Sequence, residues 1–221
     1  MQICRQGNGH YLDGLNNQDF FYEEGNLKMI TDGCSEGKFS EVGTRLFVQA
    51  FSQLDTRLDL NQFEQNVEKA FMKACSVAGT KSGKDFETFV INNMLFTIIA
   101  CFELEDKFVV KFIGDGYIIT VNKHHLLSYI RLFYGKSPPY YSYNKLETDA
   151  YPKTLNFKTF EFSKEDFKQV GIASDGLAPI VDKQLNQSFD DFFLGTKTNY
   201  KPEGVINSNR VVFHDDVTIL F

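Results

Sequence analysis

The sequence lacks a long apolar run, since no stretch of its 221 residues approaches the roughly 18 apolar residues of a membrane-spanning helix. The longest candidate, Met94 to Phe102, is too short and is followed directly by charged residues. The first ten residues, MQICRQGNGH, contain no apolar core of the kind that signal peptides have. We therefore expect a cytoplasmic protein with no membrane partner.

Positive charge is also scarce. The chain has 23 lysines and arginines against 29 aspartates and glutamates, which gives a net charge of −6. Because binding to a phosphate backbone needs a basic surface, nucleic acid is excluded as the main partner. The surplus of acidic residues permits cation binding, although a solvated acidic surface would give the same composition.

Tryptophan is absent and cysteine is rare. Cys4, Cys34, Cys75 and Cys101 form no close pair with the spacing of metal ligands. Three of them lie in apolar patterns, where free cysteine packs as a small hydrophobic residue, and this indicates a reducing compartment. The 23 phenylalanines predict an aromatic core.

What the sequence does contain is a recurring pair, aspartate followed by glycine, at the end of an apolar run. It occurs at Asp32 in LKMITDG, at Asp115 in FVVKFIGDG and at Asp175 in VGIASDG, and Asp215-Asp216 lies beside the last apolar run. One such pair predicts only a turn. The repetition indicates a shared function in addition to turns, because a carboxylate at the end of a rigid strand is well placed to hold a metal ion.

Periodicity predicts a mixed fold. Phe20–Tyr22 and Leu27–Thr31 are predicted to pair as a hairpin, and two helices are predicted next, the first capped by Ser40. The runs MLFTIIACFE, KFVVKFIGDG and YIITVN predict an antiparallel meander. Further predicted elements are strands at 155–162, 170–174, 211–213 and 217–221, a helix at 180–193 and loops at 123–153 and 195–209. We expect one domain, residues 1–221, in which helices cover two mainly antiparallel sheets.

Five aspartates stand at predicted strand ends or turns: Asp19, Asp32, Asp115, Asp175 and Asp215. Clustered carboxylates repel one another unless a cation or protons neutralise them. Oxygen ligands without an accompanying set of histidines and cysteines suit Mg²⁺ or Mn²⁺. A pair of such ions is suited to phosphoryl chemistry. Spacing along the chain leaves open whether the five side chains converge.

Five segments, taken in order, carry a family resemblance: NNQDFFYEEGNLKMITDG, CSEGKFSEVGTRLF, TIIACFELEDKFVVKFIGDGYIITVN, GIASDGL and HDDVTILF. Through them nearly the whole chain resembles the metal-dependent protein phosphatases of type 2C, and their bacterial branch in particular. The resemblance implies an α+β fold, a four-layer αββα sandwich of two mainly antiparallel sheets flanked by helices. It also implies hydrolysis of phosphoserine and phosphothreonine in a phosphorylated protein substrate, with a cognate kinase as a further partner.

The resemblance implies a role for each acidic residue. Asp32 would bridge two Mg²⁺ or Mn²⁺ ions, and the Gly33 carbonyl would bind one of them. Asp19 would act on the side of the second ion, mostly through water, while Asp175 and Asp215 would hold the first. A water that bridges the two ions would attack phosphorus in line, without a phosphoenzyme intermediate.

A third, weaker ion would lie between Asp115 and Asp175. The residue that often grips phosphate in the family, an arginine, is replaced here by Gly14, and no arginine lies between Arg5 and Arg45. His10 is available instead, as a phosphate contact or proton donor. The alternative for a lone histidine in a polar loop is simple solvent exposure.

A second departure is Cys34, which stands where many eukaryotic members have a histidine that protonates the leaving group. These departures favour, as an alternative, a pseudophosphatase that binds phosphoproteins with weak or no turnover. A hydrolase that acts on small phosphorylated metabolites is a third hypothesis for the function.

Three smaller expectations concern the rest of the chain. Residues 123–153 take the place of the family's variable flap, and the tyrosines at 140, 141 and 143 are expected to pack it against the body. His124-His125 is expected at the surface, since adjacent side chains of a strand point to opposite faces. Asp216 is given a secondary role, orienting Asp215 or nearby backbone.

Overall fold

Two five-stranded antiparallel sheets form the centre of the protein in a computed structural model. The structure describes residues 1–221 except 36, 78, 80–81, 136, 149, 153–154, 183–189, 192 and 195–201. Sheet I has the strand order β1-β10-β9-β6-β7 and sheet II the order β2-β3-β4-β5-β8. The strands are β1 Gln2–Arg5, β2 Phe20–Glu24, β3 Leu27–Gly33, β4 Phe96–Glu103, β5 Lys107–Ile113, β6 Tyr117–Asn122, β7 Leu127–Arg131, β8 Lys158–Ser163, β9 Phe167–Ala173 and β10 Val217–Leu220.

Helices cover the outer face of each sheet. They are α1 Asn8–Leu12, α2 Ser40–Ser52, α3 Phe63–Val77, α4 Gly83–Asn93, α5 Ala178–Val181 and α6 Pro202–Ser208. The apolar stripes of α2, α3 and α4 pack on sheet II, whereas α5 and α6 pack on sheet I. The α+β sandwich of four layers is therefore confirmed.

The core divides into three apolar clusters, one within each pair of adjacent layers. Between the sheets, Ile30 and Ile99 of sheet II meet Ile118 and Ile172 of sheet I. Strand β3 thus buries side chains on both faces, because its other face packs against the helices. The expected aromatic core lies between sheet II and the helices, with edge-on ring pairs such as Phe63–Phe102, whose ring centroids are 5.4 Å apart. The four cysteines all lie among the described residues, and none of them forms a disulfide bond.

The hairpin of β2 and β3 is confirmed, with Phe20 opposite Thr31. The predicted meander is wrong at its second turn. Strands β4 and β5 pair as expected, but β5 continues to β8 while β6 pairs with β7 and β9 in the other sheet. Gly114-Asp115-Gly116 is therefore a crossing between sheets and not a hairpin turn.

Glycine is required on both sides of Asp115 in this crossing. Gly114 and Gly116 have φ of +110° and +120°, which side chains rarely tolerate. A Cβ on Gly114 would lie 2.4 Å from Thr97, and one on Gly116 would lie 2.6 Å from the Ala173 carbonyl oxygen. The crossing thus brings Asp115 to the edge where both sheets end.

Other elements also differ from the predictions. Ser40 does not cap α2: Phe39 holds the cap position, and the Ser40 hydroxyl donates to the Cys34 carbonyl at 2.9 Å. The predicted strand 211–213 is a 3-10 turn at Arg210–Val212, and Pro202–Ser208 is helical where a loop was predicted. At the start of the predicted helix 180–193, the structure has the short helix Ala178–Val181. Residues 183–189 and 192 of that predicted helix lie outside the described residues.

In the part of the chain that the structure describes, no helix combines the length and the apolar character needed to span a bilayer. His124 and His125 are exposed, as predicted.

The close packing of α2 on α4 gives a stability prediction. A Cβ on Gly43 would lie 1.7 Å from the Asn93 carbonyl oxygen, so Gly43→Ala forces the helices apart. We expect it to lower the free energy of unfolding by about 1–3 kcal/mol, measured by urea denaturation.

Gly204 in α6 is the matched control, since nothing lies within 4 Å of its added Cβ. Gly204→Ala should leave stability unchanged or raise it by roughly 0.5–1 kcal/mol, the helix preference of alanine over glycine. Equal effects of the two substitutions would contradict this packing.

Candidate metal centre

The candidate metal centre lies where strands of both sheets end. Asp32 is the penultimate residue of β3 and is opposite Thr97 of β4. The backbone of Gly33, the next residue, packs closely against Gln18 and Ser40, since a Cβ on Gly33 would lie 3.0 Å from both. The strand end is therefore held between the segment that precedes Asp19 and the start of α2.

Two groups of three ligating side chains occur at this edge. Asp32, Asp115 and Asp175 each offer a carboxylate oxygen, and these atoms lie within 4.8 Å of one another. His10, Asp215 and Asp216 form a second group within the same limit. The three aspartates come from β3, from the crossing between the sheets and from the 3-10 turn that follows β9, which are distant in sequence.

The two groups are close enough for the charge of Asp215, in the second group, to affect Asp32 and Asp175 in the first. Burial raises the pKa of Asp32 well above its usual value, and negative charge adds to this from Asp19, Asp175, Asp215 and Asp115. Burial and then the charge of Asp215 and Asp115 raise the pKa of Asp175 to about 7. Since the other four predicted aspartates all act on Asp32, the structure supports the convergence that spacing left open.

This donor set fits divalent cations. Carboxylates so close together repel one another in the ionised state, and a cation among them removes that cost. All-oxygen ligands of this kind suit Mg²⁺ or Mn²⁺. Burial likewise raises the pKa of Asp115 and of Asp215.

Asp19 lies deeper than the other acidic residues and in neither group of three. It is 2% exposed, and its Oδ2 accepts a hydrogen bond from the Ser174 hydroxyl at 2.8 Å. Its Oδ1 is buried and has no hydrogen-bond partner among the described residues. Burial, followed by the charge of Asp216, raises its pKa well above the usual value. The position suits an indirect role better than a shared ligand position.

His10 is buried, at 7% exposure, so simple solvent exposure is ruled out. Its Nδ1 lies 2.9 Å from Asp216 Oδ2, and its Nε2 lies 3.7 Å from Asp215 Oδ1. The neighbouring Asp216 carboxylate is the main cause that raises the pKa of His10. The imidazole therefore lies between the metal centre and a buried carboxylate.

Backbone contacts hold α1, which carries His10, against the segment before β10. The Asn8 amide donates to the Phe213 carbonyl at 2.7 Å, and the Gly9 amide donates to the His214 carbonyl at 2.9 Å. A Cβ on Gly7 would lie 2.3 Å from the Asp215 carbonyl carbon. Glycine at this position allows the helix to come close.

Asp216, which was expected to orient Asp215 or nearby backbone, does contact backbone, and the sequence did not predict that it also lies beside His10. It is 1% exposed and accepts hydrogen bonds from the backbone amides of Gly7 and Gln18 at 2.7 and 2.6 Å. The only signal in the sequence was the doubled aspartate before the last strand.

Cys34 lies at the same edge, beside the flap. Burial is the main cause that raises the pKa of Tyr140, and the neighbouring Cys34 adds to this rise. Tyr140, Tyr141 and Tyr143 are all buried against the helical face of sheet II, which confirms the packing prediction.

A cleft of about 460 Å³ opens next to the metal centre. Its walls include Asp175, Asp182, His214 and Asp215. A phosphate group carried by a larger molecule could therefore reach the carboxylates from this side.

The fold and this edge together define a four-layer αββα sandwich with an acidic divalent-cation site. Residues 6–207 match the family model described as protein phosphatase 2C, and the chain belongs to that family. No curated protein sequence matches the chain.

Solved structures of bacterial proteins share the fold at low identity. The serine/threonine phosphatase PstP/Ppp of Mycobacterium tuberculosis is 15% identical, with 99% of this chain and 95% of that chain covered and a TM-score of 0.60. A structure of the PstP catalytic domain in complex with two manganese ions is 16% identical, with coverage of 99% and 94% and a TM-score of 0.60. Stp1 from Staphylococcus aureus is 12% identical, with coverage of 99% and 92% and a TM-score of 0.62.

The raised pKa values predict how the metal-free protein responds to pH. An aspartate with a folded pKa near 7, such as Asp175, binds a proton in the folded state at pH values where the unfolded chain has lost it. Its destabilising effect is full above pH 7 and is relieved as pH falls through 7. With a chelator present, we therefore expect a higher melting temperature at pH 6 than at pH 8.

Saturating Mg²⁺ should raise the melting temperature at pH 8 and reduce this pH dependence. Asp175→Asn should also reduce it in the metal-free protein, whereas Asp13→Asn, at an exposed position, should not. A metal-free melting temperature that rises from pH 6 to pH 8 would contradict the mutual repulsion.

Proposed function

We propose that the protein is a Mg²⁺- or Mn²⁺-dependent phosphatase that hydrolyses phosphoserine and phosphothreonine in proteins. The observation that carries this proposal is the group Asp32, Asp115 and Asp175, whose carboxylate oxygens lie within 4.8 Å of one another beside an open cleft. Family membership supports the same activity. The proposed setting is the cytoplasm, where a protein kinase would supply the substrate.

The residues proposed to hold the cations are those that the family resemblance implies. Asp32 is central, since its pKa responds to the other four aspartates, and it is the proposed bridge between two ions. Asp175 and Asp215 are proposed for the first ion, and Gly33, with Asp19 through water, for the second. Asp115, beside Asp175, is proposed for a third. When bound, the cations supply a water of lowered pKa and positive charge facing the phosphoryl oxygens.

The chain's own side chains supply the remaining functions. His10 is proposed to act on the phosphoryl group as a hydrogen-bond or proton donor, since its Nε2 lies on the side of Asp215, at 3.7 Å. It would thereby take over part of the role of the arginine that Gly14 replaces. The cleft lined by Asp182 and His214 would hold the substrate segment that carries the phosphate.

Cys34 supports a second candidate function, a pseudophosphatase that binds phosphoproteins. Cys34 directly follows Asp32-Gly33, at the position where many eukaryotic members of the family have a proton-donating histidine. Loss of that donor would leave binding intact and slow turnover. The five interacting aspartates, which binding alone does not require, favour catalysis.

The activity test uses p-nitrophenyl phosphate and a phosphothreonine peptide with and without Mn²⁺. We expect hydrolysis only with added metal, and a loss of about 100-fold or more in kcat for Asp32→Asn and for Asp175→Asn, because each removes a charge from the cation site. Asp13→Asn is the matched control and should retain full activity.

Each other result identifies an alternative. Unchanged hydrolysis in both aspartate variants would contradict the proposal. Tight peptide binding without turnover at saturating Mn²⁺ would select the pseudophosphatase. Much higher kcat/KM for small phosphorylated metabolites than for the peptide would assign the site to that substrate class.

A further inference from the structure

Four exposed apolar side chains lie together beside the cleft, and we call them the α1 patch. They are between 40% and 74% exposed and comprise Tyr11, Leu12, Leu15 and Val211. The first three belong to α1 or follow it closely, and Val211 lies in a 3-10 turn that begins at Arg210. The guanidinium carbon of Arg210 lies 4.2 Å from the centroid of the Tyr11 ring, which keeps the turn and the helix side by side.

The α1 patch continues into the cleft beside the metal centre. Val211 directly precedes Val212, which lines the cleft, and Tyr11 directly follows His10. Two backbone hydrogen bonds from the start of α1 hold the helix against this wall. Apolar residues scattered singly over a surface need no explanation, whereas a contiguous exposed group beside a site indicates a contact surface. A molecule that brings a phosphate group into the cleft therefore meets the patch at its rim.

The opposite wall of the cleft carries a carboxylate that is not among the proposed cation ligands. Ala178, Pro179 and Asp182 line that wall, and Asp182 is exposed. Asp182 forms no ion pair with another described residue. Of the described residues that line the cleft, none is lysine or arginine. The charge therefore differs across the cleft, with Asp182 on one side and Arg210 beside the patch on the other.

We propose that the α1 patch and Asp182 are the two halves of a binding surface for the protein segment that carries the phosphate. The segment that fits has an apolar side chain on one side of the phosphorylated residue and a basic side chain on the other. The apolar side chain would cover the patch, where Arg210 disfavours a second cation, and the basic side chain would face Asp182. This inference rests on the proposed function, because it names the substrate on which the same centre acts.

Area and charge favour a substrate segment over a second copy of this chain as the occupant. A stable interface between proteins buries about 800 Å² on each partner, which is more than four side chains expose. A symmetric dimer through the patch would also bring together two chains that each have a net charge of −6. An extended segment needs only a few side-chain contacts on either side of its phosphate.

The first experiment compares phosphothreonine peptides as substrates of the Mn²⁺-loaded protein. Each peptide has leucine on one side of phosphothreonine and lysine on the other, in both orders, and serine replaces either residue for comparison. In one order, we expect leucine to raise kcat/KM about 10-fold over serine, mostly through KM, because this contact binds substrate without taking part in the chemistry. Lysine should raise it by about two- to fivefold. Equal kcat/KM for all the peptides would overturn the proposal.

The second experiment assigns each preference to its half of the surface. Leu12→Ser combined with Val211→Ser should abolish the advantage of leucine over serine. Asp182→Asn should abolish the advantage of lysine and the sensitivity of that advantage to salt. Leu126→Ser is the matched control, since Leu126 is also exposed but lies in the turn at the far end of β6. It should keep both preferences. Patch and Asp182 variants that also keep both would overturn the proposal.

Three further outcomes separate this inference from the alternatives. Metal-dependent hydrolysis of p-nitrophenyl phosphate, which is too small to reach the patch, without any peptide preference would overturn the inference and retain the phosphatase. Fluorescence anisotropy that shows the expected preference in binding to the Mg²⁺-loaded protein, without hydrolysis of any substrate, would contradict the phosphatase and retain the surface. If analytical ultracentrifugation shows that Leu12→Ser with Val211→Ser abolishes self-association while peptide preference is unchanged, the inference is overturned and the patch is a contact between copies.

Discussion

Repulsion among the carboxylates that the fold places at one edge is the constraint that the rest of the structure must offset. Asp32, Asp115 and Asp175 come within 4.8 Å of one another, and the charges of Asp19 and Asp215 add to the unfavourable field. Burial increases this cost, because less water remains to screen the charges. A fold that accumulates such repulsion must be stabilised elsewhere, and must gain a cation or protons at this edge. The repulsion at the site and the packing of the rest of the molecule therefore both contribute to the free energy of unfolding.

The sandwich supplies that stabilisation through three apolar layers. Strand β3 illustrates the arrangement, since Met29 packs toward the helices and Ile30 toward sheet I, while the next residues lead directly to Asp32. Asp115 is placed by a crossing that only glycines at 114 and 116 permit. The aspartates are thus held by rigid strand ends and short connections, which limits how far they can move apart. Rigidity is what keeps repulsion from being relieved by local rearrangement.

Much of this could be predicted from the sequence, and the failures have physical causes. The Asp-Gly pairs at strand ends predicted acidic residues that do interact, and the β2–β3 hairpin follows from its turn signal. The crossing at Asp115 was missed because a Gly-Asp-Gly turn looks the same whether the next strand joins the same sheet or the other. The burial of His10 depends on α1 docking against residues 213 and 214, about 200 positions away, and no local pattern reports such a contact.

The doubled aspartate before β10 shows how the two parts of the site are joined. The pair places the Asp215 carboxylate in the cleft and the Asp216 carboxylate on the backbone amides of Gly7 and Gln18. The side chain of Asp215 is 41% exposed, whereas that of Asp216 is 1% exposed and meets His10. A shift of this short segment would therefore move a proposed metal ligand and the histidine together. If His10 has the proposed donor role, the position of this donor therefore depends on the same short segment as the proposed metal ligand Asp215.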